Sequence, residues 1–422
     1  MITAKAFAGK HHAVYGLARS GLATASALLA SGARVTAWDA NEEARVKAPA
    51  GTELANLDDA DLGQFDSLVV TPGLPLNRHP IAGRAREAGL EIIGDIELFA
   101  RAGPELPPHK VVGITGTNGK STTTALVHHI LKTAGVPTTM GGNIGLPILA
   151  QDPLPNGGVY VLELSSYQID LTQSLDCDIA VLLNVTPDHL DRYQGFEAYA
   201  ASKARLFEMQ SSDHVAFLNW ESFMAGQVKP AALFNKIVMP DWANQSEWPA
   251  LQGPHNAQNA AAAILVCQVL GIADGQISGG LRTYPGLPHR MERVREKGGV
   301  LYVNDSKATN PTATAPALAA LPSIRWILGG QAKTDNLDEC VPHFAHVRSA
   351  YTIGEAGELF ARLLEPHMPV HECNTLENAV NRAAEDSQPG DTVLLSPACA
   401  SFDQFKDFEQ RGDRFKDLVG AL

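Results

Sequence analysis

The chain has 422 residues, 45% of them hydrophobic and 19% charged, and a formal net charge of −13. That length exceeds one ordinary core and sets an expectation of three domains, while the interspersed acidic excess argues against nucleic acid as a partner and requires any anionic substrate to meet a locally basic site. Cys177, Cys267, Cys340, Cys373 and Cys399 form no C-x-x-C pair, and no apolar run reaches the length of a signal peptide or membrane span, so neither a zinc site, a disulfide framework nor a membrane span is expected and a cytoplasmic location is.

Apolar β-type runs alternate with alanine-rich helical patterns from end to end, as in βα units built around parallel sheets. Residues 12–16 read as a strand, 21–30 as a helix, 34–38 as a strand ending in Asp39, and 67–71 as another strand. Between strand and helix, Gly16-Leu17-Ala18-Arg19-Ser20-Gly21 forms a glycine turn suited to a pyrophosphate, although Ala18 stands where a dinucleotide-binding turn wants its middle glycine. Asp39 is placed to contact a ribose or base. Gly-Pro and Pro-Pro punctuation over 94–108 marks a linker.

The run Gly113-Ile114-Thr115-Gly116-Thr117-Asn118-Gly119-Lys120-Ser121-Thr122 follows an apolar strand and opens a helix. Such a turn points backbone N–H groups at a polyphosphate, Lys120 reaches the terminal phosphates, and the Ser121 hydroxyl suits Mg²⁺. Ile114 stands where the strict pattern has glycine. Glu163 closes the strand 159–163 and is placed for Mg²⁺, with a helix-capping acid as the plain reading. The strand 179–184 delivers Asp188-His189-Leu190-Asp191-Arg192, and Lys203 follows on the helical pattern 198–209, where by itself it reads as a solvated charge. A long helix starts near Asn256, and Asn259 three residues on shares its face. A helix N-cap with a surface amide explains that pair equally well. Residues 284–288 break the pattern. Strands at 300–304, 324–328 and 392–395 follow, and a final helix covers 404–419.

The P-loop run, Glu163-Leu164-Ser165-Ser166, Asp188-His189 and Lys203, in this order, closely resemble the Mur ligases, the ATP-dependent amide-forming enzymes of peptidoglycan precursor synthesis. Gly141-Gly142-Asn143-Ile144-Gly145, His289-Arg290, Asn304-Asp305-Ser306-Lys307-Ala308-Thr309 and Leu328-Gly329-Gly330 extend the resemblance over nearly the whole chain. The stretch 395–412, with Ser401, Phe408 and Arg411-Gly412, is most similar to the D-glutamate-adding branch.

That resemblance implies an α/β fold of three domains: a Rossmann-like domain for the UDP substrate over 1–100, a central P-loop ATPase domain with a parallel sheet over 101–287, and a Rossmann-like glutamate domain over 288–422. It implies ATP, UDP-MurNAc-L-alanine and D-glutamate as partners, two Mg²⁺ ions and a monomer. Catalysis falls to Lys120, His189, Lys203 and Arg290. The nucleotide is held by Gly116, Thr117, Asn118, Gly119, Lys120, Ser121, Thr122, Asn256, Asn259, Arg290 and Asp305. The metals fall to Ser121, Glu163, His189 and Lys203, with Lys203 as a carbamate. Arg19, Ser20, Asp39, Thr71, Pro72, Gly73 and Asn143 line the UDP-substrate path, and Lys307, Thr309, Lys333, Ser401 and Phe408 hold the glutamate. Gln331 departs from the acid that this family often carries there. By the residues alone, a nicotinamide-dependent oxidoreductase would use the first glycine turn but leave the P-loop idle, and a P-loop switch would leave the C-terminal residues idle. A sibling ligase adding another amino acid, or glutamate to folate, is the nearer alternative.

Overall fold

The computed structural model describes residues 1–189, 191–219 and 233–422. They divide into two units: residues 1–243 with 258–281, and residues 244–257 with 282–422, the division falling inside helix Pro254–Val269.

The first unit holds two parallel sheets. One runs β3-β2-β1-β4-β5, from β1 (His11–Tyr15), β2 (Arg34–Trp38), β3 (Glu53–Leu54), β4 (Ser67–Val70) and β5 (Ile92–Ile93). The other runs β11-β10-β9-β6-β8-β7, from β6 (His109–Thr115), β7 (Thr138–Gly142), β8 (Gly158–Glu163), β9 (Ile179–Leu182), β10 (Val215–Leu218) and β11 (Leu233–Lys236). Strands β1, β4, β8 and β9 are buried along their whole length, which is why apolar residues fill most of their positions without alternation. One apolar cluster joins both sheets, from Val14 and Leu28 through Leu98 and Phe99 to Tyr160, Leu162 and Phe207.

The segment expected to be a linker is instead the helix Asp95–Ala102, followed by a short turn at Gly103–Glu105. Its inner face buries Ile96, Leu98 and Phe99, an amphipathic stripe that the flanking Gly and Pro signals obscured. Glu97, 1% exposed, accepts hydrogen bonds from Arg101 Nε (2.8 Å), Gln173 N (2.7 Å), Ser174 N (2.9 Å) and Ser174 Oγ (2.8 Å). This carboxylate thereby fastens the helix to the loop that leads into β9.

The second unit is one sheet, β12-β13-β17-β14-β15-β16, built from β12 (Glu292–Lys297), β13 (Val300–Asn304), β14 (Ile324–Gly329), β15 (Val347–Ile353), β16 (Val370–Asn374) and β17 (Thr392–Leu395). It is parallel except for β12, which pairs antiparallel with β13 at the edge. Strand β12 escapes a sequence reading because its alternation is charged and mostly exposed, as suits an edge. The last helix starts at Phe408, four residues after the expected position, capped by Asp407 accepting from Gln410 N at 2.7 Å.

Candidate active site

In a parallel sheet the carboxyl ends of the strands lie side by side, so residues remote in sequence become neighbours. Register pairs Ile114 of β6 and Gly142 of β7 with Glu163 of β8, and Thr115 with Leu182 of β9. The P-loop at 116–119 therefore emerges between Glu163 and the loop that carries Asp188 and His189. Helix Lys120–Thr133 starts directly behind it, aiming its N-terminal N–H groups at the turn.

Asn184, on the turn after β9, braces the loop by accepting from Asn118 N (2.8 Å) and donating to Asn118 O (3.1 Å), and its own carbonyl accepts from Thr117 N (2.9 Å). The Thr117 hydroxyl sits between Thr186 O and the Tyr199 hydroxyl, each at 3.1 Å. Ser121 is buried and Thr122 half-buried in the first helical turn. Lys120 Nζ donates to Gly116 O (2.9 Å) and Thr117 O (2.8 Å).

Lys203 is not the surface charge its helical context suggests. It is 1% exposed on helix Phe196–Glu208, its Nζ donates to Gly116 O at 2.9 Å, and it lies 4.6 Å from the Tyr199 ring centroid. Two lysine ammoniums thus share one carbonyl. Burial first, and the Lys120 charge second, lower the Lys203 pKa to about 7, so near neutral pH much of it is free amine.

Glu163 is 2% exposed; its Oε1 accepts from Asn143 Nδ2 at 2.8 Å, and its buried Oε2 has no hydrogen-bond partner among the described residues. Gly142 makes this closeness possible: its φ is +88°, and a Cβ there would lie 2.1 Å from Glu163 O. An orphaned carboxylate oxygen on the strand paired with the one that leads into the P-loop is an oxygen donor that fits a hard divalent cation. His189 is exposed, with φ +54°, its Nε2 3.5 Å from Asp188 Oδ2 and its ring 5.0 Å from that of Tyr167. Partial desolvation of the ring, helped by the Lys203 and Lys120 charges, lowers its pKa, favouring the neutral imidazole that a ligand needs. Leu190, between this pair and Asp191, lies outside the described residues.

Arg19, Ser20, Thr71, Pro72, Gly73 and Asn143 line one cleft of about 360 Å³ in the first unit, which Asp95 and Gln168 also border. Arg19 donates to Gly145 O at 2.8 Å across this cleft. Asp39 lines a neighbouring cavity with Leu17, Asn41 and Lys47, and Arg19 borders both. The Asp39 carboxylate accepts from Leu17 N (2.7 Å) and Asn41 N (2.8 Å), tying the first two strand-end turns together.

Asn256 Nδ2 donates to Gln252 O at 3.1 Å, whereas Asn259 Oδ1 accepts from Thr123 Oγ1 at 3.3 Å beside Gly119. The contact with Thr123 brings Asn259 to the first turn of the P-loop helix.

In the second unit, Asp305 follows β13 and accepts from Ser396 Oγ (2.8 Å) and Met291 N (3.1 Å), next to Arg290 in sequence. Burial raises its pKa to about 7. Lys307 lies 3.8 Å from the Phe408 ring centroid, Lys333 donates to Thr309 Oγ1 at 3.3 Å, and Ser401 is buried on the turn after β17. Two cations, two hydroxyls and an aromatic ring thus collect at the carboxyl ends of β13, β14 and β17. Asn184 on its strand-end loop, and Tyr199 and Asp95 on helices, carry no sequence signal that assigns them, since polar residues in such places are too common to single out without neighbours in space.

Residues 10–94 match the family described as the Mur ligase MurD-like N-terminal domain, 114–239 the Mur ligase middle domain, and 289–399 the Mur ligase glutamate ligase domain. Proteins named UDP-N-acetylmuramoylalanine–D-glutamate ligase from Novosphingobium aromaticivorans and Zymomonas mobilis are 61% and 57% identical, over all of this chain and 97% and 100% of theirs. The fold is shared with the MurF ligase of Thermotoga maritima solved in complex with ADP (TM-score 0.62, 17% identity, 99% of this chain and 97% of that one). It is shared likewise with UDP-N-acetylmuramate–alanine ligase of the same organism (TM-score 0.60, 16% identity, 98% and 99%). With all three family domains in order along one chain and relatives this similar over its full length, the protein belongs to the Mur ligase family.

Proposed function

We propose that this chain joins D-glutamate to UDP-N-acetylmuramoyl-L-alanine at the expense of ATP, as the names of its 61% and 57% identical relatives suggest. The observation that carries the reading is the meeting of Lys120, Glu163 with its orphaned oxygen, and Lys203 around one P-loop. A carboxylate is a poor electrophile and hydroxide a poor leaving group; transfer of the γ-phosphoryl of ATP to the alanyl carboxylate repairs both faults. The glutamate amine then attacks the acyl phosphate and inorganic phosphate departs. Two anions must meet in the first step, so alignment and positive charge carry the catalysis.

Lys120 and the N–H groups of residues 116–122 cradle the phosphates, and Arg290 adds a cation to the nucleotide site that Asn256, Asn259 and Asp305 complete. Ser121 and Glu163 would hold one Mg²⁺, and His189 with Lys203 a second; when bound, the ions neutralise phosphate and carboxylate charge. An ammonium cannot ligate a metal. The free amine of Lys203 can add to CO₂, forming an N–C bond and releasing a proton, and the resulting carbamate turns a cation beside Lys120 into an oxygen donor. Arg19, Ser20, Asp39, Thr71, Pro72, Gly73 and Asn143 hold the UDP substrate; Lys307, Thr309, Lys333, Ser401 and Phe408 hold both glutamate carboxylates.

Three domains, 1–100, 101–287 and 288–422, follow from the same reading, supported by one sheet within each span. Every assigned residue comes from this chain, which is consistent with action as a monomer. A cytoplasmic reaction is consistent with the nucleotide substrates and with the absence, among the described residues, of any helix long and apolar enough to cross a membrane. Phosphate release with ATP, Mg²⁺ and the muramyl nucleotide, scanned over D- and L-amino acids, tests the proposal. Release is expected only with D-glutamate and the nucleotide together; no ADP, or an equal rate without the nucleotide, overturns it.

A further inference from the structure

Arg411 is 1% exposed, one of the largest fully buried side chains, yet no carboxylate pairs with it among the described residues. Its guanidinium spends its donors on neutral oxygens: Nε on Ser306 Oγ (3.0 Å), Nη2 on Ser306 O (2.9 Å) and Cys399 O (3.0 Å), and Nη1 on Ala400 O (3.3 Å). The carboxylate whose charge acts on it, Asp403, makes no ion pair with it and accepts from Glu355 N at 3.0 Å. Burial pulls the Arg411 pKa down to about 10, which leaves the group charged at neutral pH.

A buried cation without a counter-charge is costly, and proteins keep one where something else supplies the anion. Its acceptors identify that something. Ser306 immediately precedes Lys307, and its hydroxyl donates to Phe408 O at 2.9 Å. Cys399 and Ala400 immediately precede Ser401, and Ala400 pairs with Gln331, two residues before Lys333. The planar fork therefore ties the turn that presents Lys307 to the turn that presents Ser401, and through the Ser306 hydroxyl and the Ala400–Gln331 pair those two turns are joined to Phe408 and to the turn before Lys333.

We propose that Arg411 is a positioning residue for the amino-acid substrate, locking those turns and placing beneath them a positive charge whose counter-ion is the dicarboxylate itself. The inference rests on the glutamate reading of this site and adds its selectivity: the pocket prefers a doubly anionic amino acid over one with a neutral amide side chain because its floor is charged.

The test uses the whole enzyme with ATP, Mg²⁺ and the muramyl nucleotide, and compares wild type, R411K and R411M for D-glutamate and D-glutamine. In R411M the KM for D-glutamate is expected to rise about 30-fold or more. Its preference for D-glutamate over D-glutamine should fall about tenfold, while the KM values for ATP and the nucleotide stay within about twofold. R411K keeps the charge and loses the fork, so its KM for D-glutamate rises while the preference is retained. Equal behaviour of R411K and R411M, an unchanged preference in R411M, or KM values that rise together for all three substrates would overturn the proposal. If R411M proves insoluble, R411K decides alone: a rise confined to the amino acid supports the role and a uniform rise refutes it. A wild type that needs no D-glutamate for phosphate release refutes instead the reading of the site.

Discussion

Replacing Gly142 by alanine probes the closeness on which the metal-binding end of β8 depends. Alanine at φ +88° costs about 1–2 kcal/mol for the left-handed backbone alone. Its Cβ would lie 2.1 Å from Glu163 O, so β7 and β8 must part at this end, adding about 1–3 kcal/mol of overpacking. Gly157, at the other end of β8, supplies the control: its φ is +79° and a Cβ there meets nothing within 4 Å. G157A should therefore lose only the backbone term, about 1–2 kcal/mol, and G142A about 2–5 kcal/mol. Urea denaturation of both variants measures the difference, which is the steric cost of the strand-end approach. Activity separates them further. G142A shifts Asn143 and Glu163, and a displacement near 1 Å lowers kcat on the order of 100-fold, whereas G157A leaves phosphate release near wild type. G142A no less stable than G157A, or fully active, would refute the claim that the approach of residue 142 shapes the site.

Other outcomes follow from the same geometry. Glu97→Ala removes the single acceptor of four hydrogen bonds in a buried place and should cost about 3–5 kcal/mol in urea denaturation; a loss below 1 kcal/mol contradicts the fastening role. Lys203 is less basic folded than unfolded, so the folded state binds fewer protons: its penalty is full below pH 7 and vanishes as pH climbs toward the unfolded value. Activity limited by free amine should accordingly rise through about pH 7 and respond to added bicarbonate, and Lys203→Ala should abolish both responses; a K203A enzyme of full activity, with and without bicarbonate, sinks the carbamate. Glu163→Gln keeps the size and the partner Asn143 but removes the charge, so kcat should drop about 10²- to 10³-fold with a higher Mg²⁺ requirement; an unchanged Mg²⁺ titration counts against Glu163 as a ligand.

Order along the chain carried much of this protein. Alternating apolar and helical runs announce parallel α/β sheets, because strands buried on both faces cannot hide their composition, and the P-loop announces itself because phosphate binding demands glycines, a lysine and a hydroxyl in a fixed local order. Glu163 and His189 were legible as polar endings to apolar strands. What the chain order left open was decided by burial and by contacts between distant segments. Lys203 reads as a solvated helix charge until its helix packs against β9 and leaves it under Gly116. Residues 95–102 read as part of a linker until their inner face meets the core, and Glu97 its four donors. Arg411 is one of two arginines in a charged helix until two strand-end turns close over it. Local patterns encode what neighbours along the backbone must satisfy, whereas desolvation depends on which remote segments cover a charge, and that exists only once the chain has folded.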